Sequence, residues 1–480
     1  MEKRYDLIVI GAGAAGMAAA TVGIGLGKRV AMVERELFGG DCTHYGCIPS
    51  KTMIRISRAW QFAKNLETYG IQGAENLQYD FSQAMKLVSD TVKRVYEEET
   101  PEAFSKLGID TYQGQAKFVE VNRITVGDTV LYGDKFVIAT GSHQSIPKIE
   151  GLKEYHTHRS IFQITENPKS MAIIGAGSVG VEIAQAFQRF GTQVELFSRH
   201  SLILPHEDQE LAAILLEELE TEGLHFHPKT HIRSVEGESG DWTLKDSKGK
   251  TYQAASILIA SGKAPNTSDL GLTNMGLLNE AGRLILNTKL QTKMPHIYAA
   301  GDVLGEYGFS HMAEHTGILA AMNAILPVQS NYERENLSWV IFSDPEFAHL
   351  GLTEMEARTR YGEKIQVYRI PYHQVDRAKS EGKEKGMMKV IVDQHNHILG
   401  AHIFGERAGE LIHEVGIYKQ FGLKLSQTQQ MVYAYPTYSE LFKQVGRQAY
   451  LDHLQEKMPV KLFSRFLQID YEKLKNPFKQ

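Results

Sequence analysis

Asp6-Leu7-Ile8-Val9-Ile10 runs straight into Gly11-Ala12-Gly13-Ala14-Ala15-Gly16. An Ala-rich, helix-compatible segment follows, and a second apolar run, Arg29-Val30-Ala31-Met32-Val33, closes on Glu34. This order of strand, Gly-x-Gly-x-x-Gly, helix, strand and acid is the pattern of a dinucleotide-binding unit. Gly11 permits the tight turn, Gly13 lets backbone approach a pyrophosphate, and Gly16 lets the helix pack on the strand. Glu34 is placed to accept hydrogen bonds from a ribose. Residues 7 to 27 carry no charge and follow Lys3-Arg4, so they could pass for a signal peptide or a membrane helix. The six glycines in that window, and the motif itself, argue for a folded unit instead.

The same pattern returns. Met171-Ala172-Ile173-Ile174 leads into Gly175-Ala176-Gly177-Ser178-Val179-Gly180, then a helix, then Gln193-Val194-Glu195-Leu196-Phe197 as the next strand. The offset that separates Glu34 from Gly16 lands on Ser198 in the second copy. The acid that would repel a ribose 2′-phosphate is gone, and Arg199 and His200 follow at once. An arginine there accommodates that phosphate, so the second site reads as one for NADPH over NADH. Glu195, three residues earlier, is a rival ribose ligand if the strand register slips.

Between the copies lie Cys42 and Cys47, the chain's 2 cysteines in 480 residues. The segment is Gly39-Gly40-Asp41-Cys42-Thr43-His44-Tyr45-Gly46-Cys47-Ile48-Pro49-Ser50-Lys51. Such spacing can close a small disulfide ring, and a thiol at a helix start is made reactive by the helix dipole and free N–H groups. A structural zinc site would need further ligands at matching spacing, and no second Cys pair exists. No permanent metal site is expected. Redox use of the pair is the favoured reading. So few cysteines in so long a chain fit a reducing, cytoplasmic setting. A net charge of -5, 42% hydrophobic residues and 43 glycines suit a glycine-turn-rich α/β protein of two to four domains, with nothing that points to nucleic acid.

Residues 52 to 108 carry helical periodicity, and Glu97-Glu98-Glu99 reads as a solvated stretch. Phe136-Val137-Ile138-Ala139-Thr140-Gly141 and Ser256-Ile257-Leu258-Ile259-Ala260-Ser261-Gly262 are strands ending in small-residue turns. Ile297-Tyr298-Ala299-Ala300-Gly301-Asp302 is a strand that ends on a carboxylate. From about Leu337 the pattern changes to alternating strands and then helices, an α+β domain that packs on a neighbour. The segment from Tyr433 to Glu440 opens a C-terminal helix. Residues 457 to 480 mix Leu and Phe with Lys and Arg, which suits a partner-packing tail or, less simply, a peripheral membrane contact.

In this combination and order the chain resembles the FAD-dependent pyridine nucleotide–disulfide oxidoreductases, the group of glutathione reductase, dihydrolipoamide dehydrogenase and mercuric reductase. The motifs run from Gly11–Gly16 and Cys42–Lys51 through Ala139–Ser142, Gly175–Glu182 and Gly301-Asp302. They continue to Asp344-Pro345-Glu346, Gly351-Leu352-Thr353-Glu354 and Pro436-Thr437. The resemblance implies an α/β fold of two Rossmann-like dinucleotide-binding domains and a C-terminal α+β dimerisation domain. It implies FAD on residues 1–150 and 265–335, NAD(P)H on 151–264, an interface domain over 336–455 and a tail over 456–480. FAD is implied at Gly11, Gly13, Gly16, Glu34, Gly40, Lys51, Thr140, Gly141 and Asp302, and NADPH at Gly175, Gly177, Gly180, Arg199 and His200. Lys51 and Glu182 pair beside the flavin, Cys47 faces the ring, and Cys42 is the outer thiol that attacks substrate. The family is a homodimer whose C-terminal domain completes the partner's site.

The departure lies at Tyr435. Disulfide reductases of this family carry His-Pro-Thr there, followed by an acid, which here is Glu440. Tyrosine has a reference pKa near ~10 and is a poor base at neutral pH. His44, between the cysteines, is a substitute to consider. A tyrosine at this place, and Asp376-Arg377-Ala378, look like mercuric reductase, whose substrate is a thiolate-binding metal. That family also delivers metal through a C-terminal cysteine pair, which this chain lacks. The expected activity is NAD(P)H-driven reduction of a soft metal ion or small acceptor, with Cys42 and Cys47 as transient ligands. Alternatives are a lipoamide- or glutathione-type disulfide reductase with a weakened proton shuttle, and a flavoprotein redox sensor without turnover.

Overall fold

The computed structural model describes residues 3–306 and 308–456. The chain divides into two compact units, Met1–Ser201 with Gly223–Tyr332, and Leu202–Glu222 with Glu333–Gln480. The expected tail beyond residue 456 lies outside the described residues.

The first unit is built on two parallel sheets. Leu7–Ile10 sits at the centre of a five-stranded one, in the order Ile297–Ala299, Phe136–Ile138, Leu7–Ile10, Val30–Glu34, Ile109–Gln113. Successive side chains of a strand face opposite ways. Leu7 and Val9 accordingly join one buried cluster with Ala15, Ala19 and Tyr298, and Ile8 and Ile10 join another with Phe136 and Ile297. Both faces are covered, which is why this strand shows no polar alternation. The turn after it needs glycine. Gly11 has φ +106°, and a Cβ there would lie 2.2 Å from the Ala139 carbonyl oxygen. The second sheet repeats the plan in the order His225–His227, Gln193–Phe197, Ser170–Ile174, Ser256–Ile259, with Gly175 at φ +120° against Ala260. The segment from 52 to 108 is helical as expected, through helices Cys47–Lys64, Phe81–Tyr96 and Pro101–Lys106.

One packing contact sets the site. Helix Ser310–Ile325 lies along helix Ala14–Gly25 so closely that a Cβ on Gly317 would stand 2.2 Å from the Ala15 carbonyl oxygen. That approach fixes where the first residue of the later helix, Ser310, is presented.

The second unit holds a five-stranded antiparallel sheet, ordered Ser338–Ile341, Glu346–Gly351, Ile398–Gly405, Met387–Asp393, Ile365–Pro371. Helices Glu354–Tyr361 and Asp376–Glu381 fall among the strands, so the order is more interleaved than strands first and helices after. The last described helix begins at Glu440 rather than at Tyr433. Helix Gln209–Thr221, which the sequence reading put in the NAD(P)H-binding span, belongs to this unit. Buried Lys389 accounts for it, with its Nζ 2.8 Å from Asp208, 2.8 Å from Glu210 and 2.7 Å from Glu354.

Candidate active site

Gly39 and Gly40, both in the left-handed region at φ +90° and +62°, fold the start of the cysteine segment against the first glycine loop. A Cβ on Gly40 would lie 2.7 Å from Gly13 Cα, and Gly39 N–H donates to the Ala12 carbonyl. The cysteine segment therefore begins on the nucleotide loop itself. Cys42 falls in the short helix Gly40–His44, and Cys47 is the first residue of helix Cys47–Lys64. Both thiols are free and partly buried. They are hydrogen-bonded to each other, and the two sulfurs are unequal. The bond from Cys42, against the opposing effect of burial, holds Cys47 down to about 6, helped by Ser310 and the positive charge of Lys51. The same bond, with burial, pushes Cys42 well up. The bond between the thiols therefore favours charge on Cys47 over Cys42.

One turn along the helix, Lys51 Nζ donates to Glu182 Oε2 at 2.8 Å. Glu182 is 6% exposed on helix Ser178–Arg189, which follows the second glycine motif. The two nucleotide units are thus joined at the cysteine helix by an ion pair.

The residues that would hold FAD and NAD(P)H leave room for them. A Cβ on Gly13 would meet only Gly40 Cα, at 3.8 Å, and one on Gly177 would meet nothing within 4 Å, so each middle glycine borders an open cradle. Gly16 and Gly180 are instead packed tight on Gly11 and Gly175. Glu34 accepts from Ala12 N–H at 2.8 Å and Glu36 N–H at 2.7 Å, which ties its carboxylate to the loop. Thr140 Oγ1 donates to the Asn266 carbonyl at 2.6 Å, beside Gly141 at φ +70°. Asp302 Oδ2 takes Ser142 Oγ at 2.9 Å and Lys263 Nζ at 3.3 Å. In the second unit of the nucleotide plan, Ser198 is buried and its Oγ accepts from His200 N–H at 3.1 Å, while Arg199 and His200 are exposed just past the strand. Burial, with the charges of Arg233 and Arg199, pushes the nearby His231 down.

These contacts bear on three expectations. The strand register holds at Gln193–Phe197, and the carboxylate of the rival Glu195 is held by His225 at 2.9 Å and His227 at 2.5 Å on the neighbouring strand. His44 does not serve the thiols. Its Nε2 is bonded to the Phe38 carbonyl at 2.7 Å and its ring packs on Tyr96. Glu99 is not merely solvated, since its Oε2 accepts from Thr43 Oγ1 at 2.6 Å and so braces the cysteine segment.

Four further residues escaped the sequence reading. Asp41, next to Cys42, accepts from His158 Nε2 at 3.1 Å and from Arg159 at 2.8 Å. Burial alone would raise its carboxyl, but the bond from His158 and the charge of Arg159 outweigh that and hold it at about 2. Ser310 Oγ lies 3.1 Å from Cys47 Sγ. None of these pairings has a local sequence signal, as the partners stand more than a hundred residues apart.

In the other unit, Tyr435 is 68% exposed, and its hydroxyl donates to Asp376 Oδ2 at 3.0 Å. Glu440 is not its partner. Glu440 Oε2 is buried without one among the described residues, and burial pushes that carboxyl up.

Residues 5–322 match the Pyridine nucleotide-disulphide oxidoreductase family, and residues 337–445 match its dimerisation domain. The chain belongs to that family. It is 31% identical to mercuric reductase from Bacillus cereus over 448 residues, which span 92% of this chain and 70% of that one. It is 29% identical to dihydrolipoyl dehydrogenase from Bacillus subtilis (strain 168), across 92% and 97% of the two chains. Among solved structures it is similar to the HOCl-induced flavoprotein disulfide reductase RclA from Escherichia coli, with TM-score 0.83 and 26% identity over 92% of this chain and 99% of that one. RclA is also known as a Cu(II) complex. The chain is therefore a flavoprotein disulfide oxidoreductase, FAD-dependent and served by a pyridine nucleotide, with two dinucleotide-binding domains and a C-terminal dimerisation domain that supports a homodimer. No described helix is long and apolar enough to cross a membrane.

Proposed function

We propose that the chain takes two electrons from NADPH, holds them on the Cys42–Cys47 dithiol and delivers them to a thiol-seeking metal ion. The observation that carries this reading is the arrangement at position 435. A dithiol that attacks an organic disulfide needs a group to manage protons at its outer sulfur, and a positioned acid–base is worth about 10²–10⁴ in rate. Tyr435 is engaged with Asp376 instead, and Glu440 is not joined to it. A metal ion held between two soft sulfurs needs no such base. The likeness to mercuric reductase, and the Cu(II) complex of RclA, support the same substrate class.

The glycine loop at Gly11, Gly13 and Gly16, with Gly40, Glu34, Thr140, Gly141 and Asp302, would hold FAD, and Lys51 with Glu182 would lie beside it. FAD, when bound, supplies the two-electron connection between nicotinamide and disulfide. Gly175, Gly177 and Gly180 would take the nicotinamide nucleotide's pyrophosphate, and Arg199 and His200 its 2′-phosphate, in the space that Ser198 leaves uncharged. The hydride of NADPH opens the disulfide, leaving a thiolate on Cys47 and a thiol on Cys42. An incoming soft ion is gripped by both sulfurs, with release of the Cys42 proton. Reduction of one two-electron acceptor, such as Hg(II), or of two one-electron acceptors, such as Cu(II), reforms the disulfide. Tyr435 and Glu440 would serve the site of a second copy in the homodimer.

An acceptor panel with the holoenzyme and NADPH tests this. Turnover of Hg(II) or Cu(II) well above that of lipoamide and oxidised glutathione is expected. Efficient disulfide turnover without metal reduction would overturn it in favour of an ordinary disulfide reductase. NADPH oxidation by none of the four would favour a redox sensor.

A further inference from the structure

Two helices begin at the same sulfur. Cys47 is the first residue of helix Cys47–Lys64, and Ser310, 3.1 Å from Cys47 Sγ, is the first residue of helix Ser310–Ile325. The positive dipole ends of both helices therefore lie beside the sulfur on which charge develops when the disulfide opens. The serine hydroxyl of the later helix is the group that meets that sulfur. The helix is held there by the tight packing of Gly317 on Ala15 and by Gly301 N–H donating to Thr316 Oγ1 at 3.0 Å.

We infer that the Ser310 hydroxyl donates to the Cys47 sulfur in the reduced state and thereby raises the reduction potential of the Cys42–Cys47 couple. The inference rests on the proposed redox use of this pair and adds a residue that sets its driving force. In the half-reaction the S–S bond breaks, two electrons and one proton enter, the proton goes to Cys42, and the negative charge stays on Cys47. A neutral disulfide sulfur is a poor acceptor, whereas a thiolate is a good one, so the hydroxyl stabilises the reduced form more than the oxidised form. Without it the dithiol is more strongly reducing but harder for a nicotinamide to fill. Hydrogen bonds to charged groups are worth enough to shift such an equilibrium by about tenfold.

The test is the midpoint potential of the FAD-loaded enzyme in dithiothreitol buffers, read by mass after alkylation of whichever thiols are present. Ser310→Ala is expected to lower the potential by about 30 mV, the equivalent of tenfold for a two-electron couple. Ser310→Thr, which keeps the hydroxyl, is expected to restore most of it. An unchanged potential in Ser310→Ala would overturn the inference, and so would an equal drop in both variants, which would mean that shape rather than the hydroxyl matters. No NADPH is used. Failure of the nucleotide to deliver electrons would therefore count against the proposed function and leave this result standing.

Discussion

At position 435 a tyrosine hydroxyl points to Asp376, and the acid five residues on stands apart from it. Replacing Tyr435 by His puts a group of suitable pKa where disulfide reductases of this kind carry one. We predict that Tyr435→His raises lipoamide or glutathione-disulfide reductase activity at least about tenfold, measured as NADPH oxidation with each disulfide; no gain would show that turnover is not limited by proton transfer. Arg199 offers a second residue-scale test. Arg199→Glu restores a carboxylate at the corner where Ser198 leaves none, and it is expected to lower kcat/KM for NADPH by about 10–100-fold while sparing NADH. A loss shared equally by both nucleotides would mean that Arg199 does not read the 2′-phosphate. At this scale the sequence was most legible where chemistry is local. The glycine loops and the Cys42–Cys47 spacing are runs of neighbours, so their physical reason is visible in the string. Glu99 on Thr43, His158 on Asp41 and Ser310 on Cys47 depend on segments that meet only in the fold. His44 shows the converse, a histidine close in sequence whose ring is turned to the Phe38 carbonyl.

At the scale of elements, the sheet of the second unit carries one aligned row across its five strands. Trp339 stands opposite His349, His349 opposite His402, His402 opposite Lys389, and Lys389 opposite Arg369. Acids from 207 to 210 and from Glu354 meet this row. Glu207 takes the Trp339 indole N–H at 2.8 Å and His349 Nδ1 at 2.7 Å, while Asp208, Glu210 and Glu354 surround Lys389. Charges interrupting an otherwise apolar alternation give no sequence reason to pair residues so far apart, so chain order alone does not reveal that helix Gln209–Thr221 falls in this unit. Lys389→Met leaves the buried carboxylate of Asp208 without its cation, and it should cost about 3–5 kcal/mol of stability, checked by urea unfolding. A change below 1 kcal/mol would mean that the row is incidental. The same cluster fixes an acid limit. Burial alone would raise the Glu354 carboxyl, but Lys389 and Arg358 outweigh it and hold it at about 2 against an ordinary 4.5. A depressed folded value means stability that is present above 4.5 and lost as pH falls towards 2. Melting temperature is therefore expected to drop across that window, and less steeply in Glu354→Gln, whose side chain does not titrate.

For the whole molecule, the architecture follows from one unit used twice and a third domain added. The repetition is legible because each copy must solve the same problem, bringing backbone to a pyrophosphate without a side chain in the way, and only glycine at Gly13 and Gly177 does so. What the acceptor is cannot be encoded in that frame, since the frame serves mercuric reductase and dihydrolipoyl dehydrogenase relatives alike. It is carried by a few side chains around two sulfurs. The most direct measurement is an anaerobic titration of the FAD-loaded enzyme with NADPH, counting alkylated cysteines per subunit by peptide mass. The account predicts that two electrons expose two new thiols, at Cys42 and Cys47, and that metal reduction disappears when both are changed to serine. Metal reduction that persists in the double serine variant, or NADPH oxidation that exposes no thiol, would contradict it.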